Sequence, residues 1–163
     1  MLSLTSHYAL RALVRLAQLD EGVATPGHEL AVAEGIPRNY LCKIMADMRR
    51  AGLVSGARGR GGGYRLRRPA ATLSLIEVVE LFDGPRTRCA CLLGWSQCSD
   101  THRCSGHAAW RALRNRCLAF LESTTLKQIA SPAAGAAKGA GGCRAGRPST
   151  AGLRGRAPRG APP

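Results

Sequence analysis

The stretch IPRNYLCKIMADMRRAGLVSGARGRGGGYRL, residues 36–66, decides the fold. Ile36-Pro37 opens a helix, with proline tolerated in its first turn. Leu41, Ile44, Met45 and Met48 then fall on one face, Arg38, Asn39, Cys42 and Lys43 project elsewhere, and Gly52 stops the helix. A shorter helix precedes it, from Gly27 or His28 to Glu34, ended by Gly35. Helix, turn and second helix with a polar, basic leading end is an arrangement that enters a DNA major groove. A surface helix in any small bundle shows the same pattern, so the residues after Gly52 decide between the two. Leu53-Val54-Ser55 and Tyr64-Arg65-Leu66 are strand candidates, joined by a glycine-rich tip that carries Arg58 and Arg60. A phosphate-cradling loop would need a following helix and a Lys-Ser/Thr pair. Here a strand follows, so the reading is a basic hairpin lying against a neighbouring groove, and the whole is a winged helix.

Outward from that stretch, Ser6 to Leu19 is apolar except for His7, Arg11, Arg15 and Gln18, which recur at helical spacing as one narrow polar stripe. That predicts a helix packed between others, capped by Thr5 or Ser6, with a loop from Asp20 to Gly27 after it. Beyond the wing, Thr72 or Ser74 caps a helix over Leu75–Phe82, with Glu77 in the first turn as a capping box prefers. Asp83-Gly84-Pro85 ends it. A longer helix is expected from about Ser105 to Glu122, with Trp110, Leu113, Cys117, Phe120 and Leu121 on one stripe, and residues 124–129 add a short turn. So little chain remains to cover this stripe that it predicts a homodimer, with Cys117 a small buried hydrophobe in the seam. The fold class expected is mainly α with a small β-wing: a winged helix-turn-helix, a long C-terminal dimerisation helix and a basic tail.

Of 163 residues, 24 are Lys or Arg and 10 are Asp or Glu, a formal net charge of +14. Such a balance implies an acidic partner, most simply nucleic acid. From Ser131 to Pro163 there are six basic residues, no acid and few large apolar side chains, which predicts a disordered basic tail. Without that tail the chain still carries +8. No apolar run approaches the roughly 20 residues of a membrane span, and no secretion signal opens the chain, so a soluble, cytoplasmic protein is expected. No strand-helix turn presents a nucleophile and the acids stand singly, which argues against an enzyme.

The remaining signal is Cys89, Cys91, Cys98 and Cys104, with His102 and His107, within twenty residues, whereas the preceding 88 residues hold one cysteine. A disulfide framework belongs to small secreted chains. Structural zinc usually takes tight C-x2-4-C pairs, and the gaps here are six, five and two residues. Longer, loop-borne gaps suit an iron–sulfur cluster, held by thiolates spread around it; zinc and redox-active thiols remain the rival readings. Cys143, in the tail, is given no role.

Together LTSHYALRAL, IPRNYL, LVSGARGRGGGYRL, LSLIEVVELFDG and the spaced cysteines resemble the IscR/NsrR-type family of winged-helix transcription regulators over about residues 1–130. The resemblance implies a dimer binding palindromic promoter DNA, in many members with a [2Fe–2S] or [4Fe–4S] cluster on three cysteines and one other ligand. It implies a winged helix over 1–83, a cluster-binding loop over 84–106 and a dimerisation helix with a terminal turn over 107–130, which leaves the disordered basic tail over 131–163 outside the resemblance. Carried over by position, Cys91, Cys98 and Cys104 are the thiolate ligands. The six-residue gap after Cys91 is one longer than in the two types named, which leaves Cys89 as an alternative first ligand. For the fourth ligand, His107 matches the iron–sulfur assembly type, and His7 stands where the nitric oxide sensor has an aspartate. Arg38 and Asn39 are the expected base readers, since arginine pairs bidentately with guanine and asparagine with adenine. Lys43 is expected on phosphate, Arg58 and Arg60 at the minor groove or backbone, and Tyr64 as a brace for the hairpin. Cys42 replaces a glutamate of the assembly regulator, so operator preference does not carry over. A cluster-free regulator that uses thiols or a protein partner is the alternative.

Overall fold

The computed structural model describes residues 2–19, 22–57, 59, 62–84, 91–95 and 99–131. The elements are α1 (Leu4–Ala17), α2 (Gly27–Glu34), α3 (Arg38–Arg50), β1 (Val54–Ala57), β2 (Gly63–Leu66), a 3-10 turn (Ala70–Thr72), α4 (Leu75–Asp83), α5 (His107–Ser123) and α6 (Leu126–Ala130). Ala9, Ala12, Leu13 and Leu16 of α1 are buried, while His7, Arg11, Arg15 and Gln18 form the exposed stripe the sequence predicts.

Local chemistry sets the joints. α2 stops where Gly35 adopts φ 60, and the Ile36 amide reaches back to the Ala31 carbonyl at 2.9 Å, a left-handed cap that favours glycine. Buried Ile36 seals this turn, and Pro37 starts the next helix two residues later. Pro37 is the cap rather than the first helical residue: its backbone is extended, and its carbonyl accepts from the Tyr40 and Leu41 amides, both at 2.9 Å. The start of α1 also differs from expectation. Ser3 is the cap, its hydroxyl accepting the Ser6 amide at 3.2 Å, because Thr5 and Ser6 are engaged elsewhere, with Tyr40 and Asp83. At α4 the predicted box forms, with the Glu77 carboxylate accepting the Ser74 amide at 3.1 Å.

β1 and β2 are antiparallel, with Val54 opposite Leu66 and Ala57 opposite Gly63. Thr25 adds a rung on the other edge of β2, exchanging amide and carbonyl bonds with Tyr64 at 2.9 and 2.8 Å. The core gathers Leu13, Leu30, Leu41, Ile44, Met45, Met48, Val54, Leu73, Val78 and Val79. Leu121 and Leu126 join the same core, because the Leu126 amide bonds the Leu73 carbonyl at 2.8 Å and the Leu75 amide bonds the Thr124 carbonyl at 3.0 Å. The chain thus closes back onto the winged helix at the end of α5.

Candidate nucleic-acid interface and cysteine segment

One side of α3 is spent on the core, which leaves Arg38, Asn39, Cys42 and Lys43 exposed on the other. The side chains of Arg38, Asn39 and Lys43 form no hydrogen bond or ion pair with another described residue, so their donors are available to an external acceptor. Tyr40, between them, turns inward and packs edge-on against Tyr8 with ring centroids 5.8 Å apart. That contact fixes the rotation of α3 about its axis and so which residues face outward.

The hairpin is held by close approach of backbone to backbone. A Cβ on Gly63 would lie 2.4 Å from the Thr25 carbonyl, closer than any real contact, so only glycine permits the third rung. The Tyr64 ring lies 3.0 Å from the position a Cβ on Gly27 would take and 3.3 Å from that on Gly56. Tyr64 therefore clamps the wing, one rung from the tip end of its paired strands, against the start of α2, the bracing role expected of it. Arg58 and Arg60 at the tip lie outside the described residues.

Beyond α4, Cys91 and Cys104 are half-buried, while Cys89 and Cys98 lie outside the described residues. Cys91 starts a turn closed by the Gly94 amide on the Cys91 carbonyl at 3.1 Å. His107 begins α5; its Nε2 bonds the Asp100 carboxylate at 3.1 Å, and Arg111 reaches the same oxygen at 2.5 Å. The hydrogen bond from His107, then the Arg111 guanidinium, hold the Asp100 carboxyl below the usual carboxylate range. A carboxylate that holds one ring nitrogen fixes the orientation of the imidazole, as the partners of metal-binding histidines do. His7 is exposed on the first turns of α1, and His102 is exposed with Nδ1 beside the Thr101 hydroxyl. Among the described residues, no three His, Cys, Asp or Glu side chains gather as a metal site. The donor chemistry itself, soft thiolates with one imidazole, fits iron and sulfide. α5 leaves Leu113, Cys117 and Phe120 exposed on one stripe of the protomer, whereas Leu121, expected on that stripe, is buried in the core it shares with α1, α3 and α4.

A helix-turn-helix with a three-residue turn, an outward basic face and a clamped two-stranded wing defines a winged-helix DNA-binding protein. The family model described as "Rrf2: Iron-dependent Transcriptional regulator" matches residues 2–132, and the chain belongs to that family: it is a DNA-binding transcription regulator, not an enzyme. It is 37% identical over 133 residues to the HTH-type transcriptional regulator Rv1287 of Mycobacterium tuberculosis, covering 81% of this chain and 82% of the relative. With the HTH-type transcriptional regulator IscR of Escherichia coli it shares 34% over 124 residues, 75% of each chain. Its fold is similar to that of CymR, the global cysteine regulator of B. subtilis, at TM-score 0.68 and 25% identity over 80% of this chain and 96% of that one. T. potens IscR gives TM-score 0.61 at 25% identity, over 79% and 85%. Among the described residues no helix is long and apolar enough to cross a membrane.

Three residues to which the sequence reading gave no part in these sites shape them: Thr25, Asp83 and Asp100. Thr25 lacks a strand pattern, being followed at once by Pro26-Gly27. The partners of Asp83, Ser3 and Ser6, are 80 and 77 residues away. Asp100 had a signal, lying seven residues before His107 in a segment otherwise without acids.

Proposed function

We propose that this protein is a cytoplasmic homodimeric regulator of palindromic promoter DNA, controlled by an iron–sulfur cluster, [2Fe–2S] or [4Fe–4S]. Cys91, Cys98 and Cys104 supply thiolates and His107 the fourth ligand; Cys89 and His7 are the alternatives at the first and fourth positions. Residues 1–83 bind DNA, 84–106 hold the cluster, 107–130 form the dimer and 131–163 are a basic tail. The observation that carries this reading is that Cys91, Cys104 and the Asp100-oriented His107 all lie on the segment joining the winged helix to α5. The iron dependence in the family's description supports it. When bound, such a cluster supplies a centre whose charge and integrity respond to electron supply, oxidants, nitric oxide and iron. The chain does the rest. Two copies paired along Leu113, Cys117 and Phe120 set the spacing of two recognition helices, Arg38 and Asn39 read bases, Lys43, Arg58 and Arg60 hold the backbone, and the cysteine segment biases that spacing.

The test is anaerobic isolation of the full chain with iron and sulfide assays, followed by DNA affinity before and after cluster removal. Coloured protein with stoichiometric iron and sulfide, and an affinity that changes on removal, is the expected result. Colourless, metal-free protein with unchanged affinity overturns it. That outcome would favour the cluster-free reading, in which thiols or a partner protein carry the signal, a reading supported by the likeness to CymR, the global cysteine regulator of B. subtilis.

A further inference from the structure

The first turn of α1 is fastened on two sides by polar side chains. On one side the Asp83 carboxylate accepts the Ser3 amide at 3.1 Å and the Ser6 hydroxyl at 2.8 Å. Ser6 is the one fully buried polar residue among those described. On the other side the Thr5 hydroxyl bonds the Tyr40 hydroxyl, and the Tyr8 ring meets the Tyr40 ring at an interplanar angle of 77°. Asp83 is the last residue of α4, Gly84 caps that helix at φ 60, and the cysteine segment follows in sequence. Tyr40 lies in the first turn of α3, beside Arg38 and Asn39. A single helical turn thus links the entry of the cysteine segment to the base-reading end of the recognition helix.

Apolar packing alone would seat α1 on α4; a buried hydroxyl paired with a carboxylate adds direction and a fixed register. Burial pushes the Asp83 carboxyl up, but the hydrogen bonds from Ser3 and Ser6 outweigh it and hold it below the usual range. At neutral pH a negative charge therefore faces the positive end of α1.

We infer that Asp83, Ser6, Thr5 and Tyr40 are positioning residues: through α1 they couple the chain entering the cysteine segment to the first turn of α3, so that Asp83 governs DNA affinity without touching DNA. The part played by the cysteine segment rests on the function proposed above; the placing of α3 by Asp83 does not. The test is a double-mutant cycle between Asp83 and Tyr40, which share no hydrogen bond and have different partners, using Asp83→Asn and Tyr40→Phe in the full chain. Amide hydrogen exchange reads the free protein, and affinity is read with a duplex selected from a random pool by the wild-type protein. Each single change is expected to speed exchange at residues 40–43 and weaken binding by roughly fivefold, with the double variant no worse than either. Faster exchange confined to residues 3–7 and 81–84, or effects that multiply, overturns the inference. Should Asp83→Asn unfold the protein, Ser6→Ala removes one bond to the same carboxylate and takes its place. The triple variant Cys91→Ala, Cys98→Ala, Cys104→Ala separates the two claims. If it leaves affinity unchanged while the cycle shows coupling, the positioning residues stand and the cluster reading falls. If it changes affinity while the cycle shows none, the reverse holds.

Discussion

Leu13, Leu41 and Met45 of the winged helix are closed off from water, whereas Leu92, Leu93 and Trp95 of the cysteine segment and Leu113 and Phe120 of α5 are 52–60% exposed. Both regions are rich in apolar side chains, so hydrophobicity alone does not separate them. The winged helix satisfies its own side chains: its helices share one core, and its backbone joints run from Thr25 to Tyr64 and from Leu73 to Leu126. The described cysteine segment and the outer stripe of α5 instead leave Leu92, Leu93, Trp95, Leu113 and Phe120 exposed on the protomer. Buried apolar contacts hold the first region together, and the exposed apolar surface of the second is the kind that marks interaction sites.

Truncation in the two regions should differ most. Leu13→Ala or Met45→Ala is expected to lower unfolding free energy by ~2–5 kcal/mol, read by chemical denaturation at a fixed protein concentration. An effect as large from Trp95→Ala would break the comparison. Within the winged helix, Gly63→Ala forces a Cβ onto the Thr25 carbonyl and should cost about 1–3 kcal/mol in the same assay. Asn39→Ala should leave stability alone and weaken the selected DNA duplex by about 1–3 kcal/mol, with little loss on non-specific DNA, measured by titration at one stated salt concentration. Acid sharpens the contrast further. Burial raises the carboxyls of Glu77 and Asp83, but hydrogen bonds, from Arg68 and Ser74 and from Ser3 and Ser6 respectively, outweigh it and lower both. Stability from each is thus complete above its unfolded-state value and is lost as pH falls through the lower folded value. Replacing both by their amides should flatten the acid limb of a melting profile taken across that range. The smallest effect is expected from Trp95→Ala itself, within about 0.5 kcal/mol for the isolated protomer.

The same contrast explains what could be read in the residues alone. α3 was legible because Leu41, Ile44, Met45 and Met48 recur at one helical face, and the wing because glycines stand between two short apolar runs. Periodicity reports burial within one element, so it also placed α5 and its stripe. It does not report partners across the fold: of the hydroxyls at Ser3, Thr5 and Ser6, nothing local says which one caps α1 and which meet Asp83 or Tyr40. Nor does it say which residues of the α5 stripe turn back to the protomer's own core: Leu121 does, while Leu113 and Phe120 face outward. Arg58, Arg60, Cys89 and Cys98, expected in DNA contact or as ligands, lie outside the described residues.

Replacement of Cys91, Cys98 and Cys104 by alanine, with iron, sulfide and DNA affinity measured on wild type and variant isolated anaerobically side by side, tests the central claim most directly. The account predicts that the variant loses iron and sulfide, keeps the melting behaviour of the winged helix and changes its affinity for the selected duplex. Iron, sulfide and affinity that all match the wild type would contradict it.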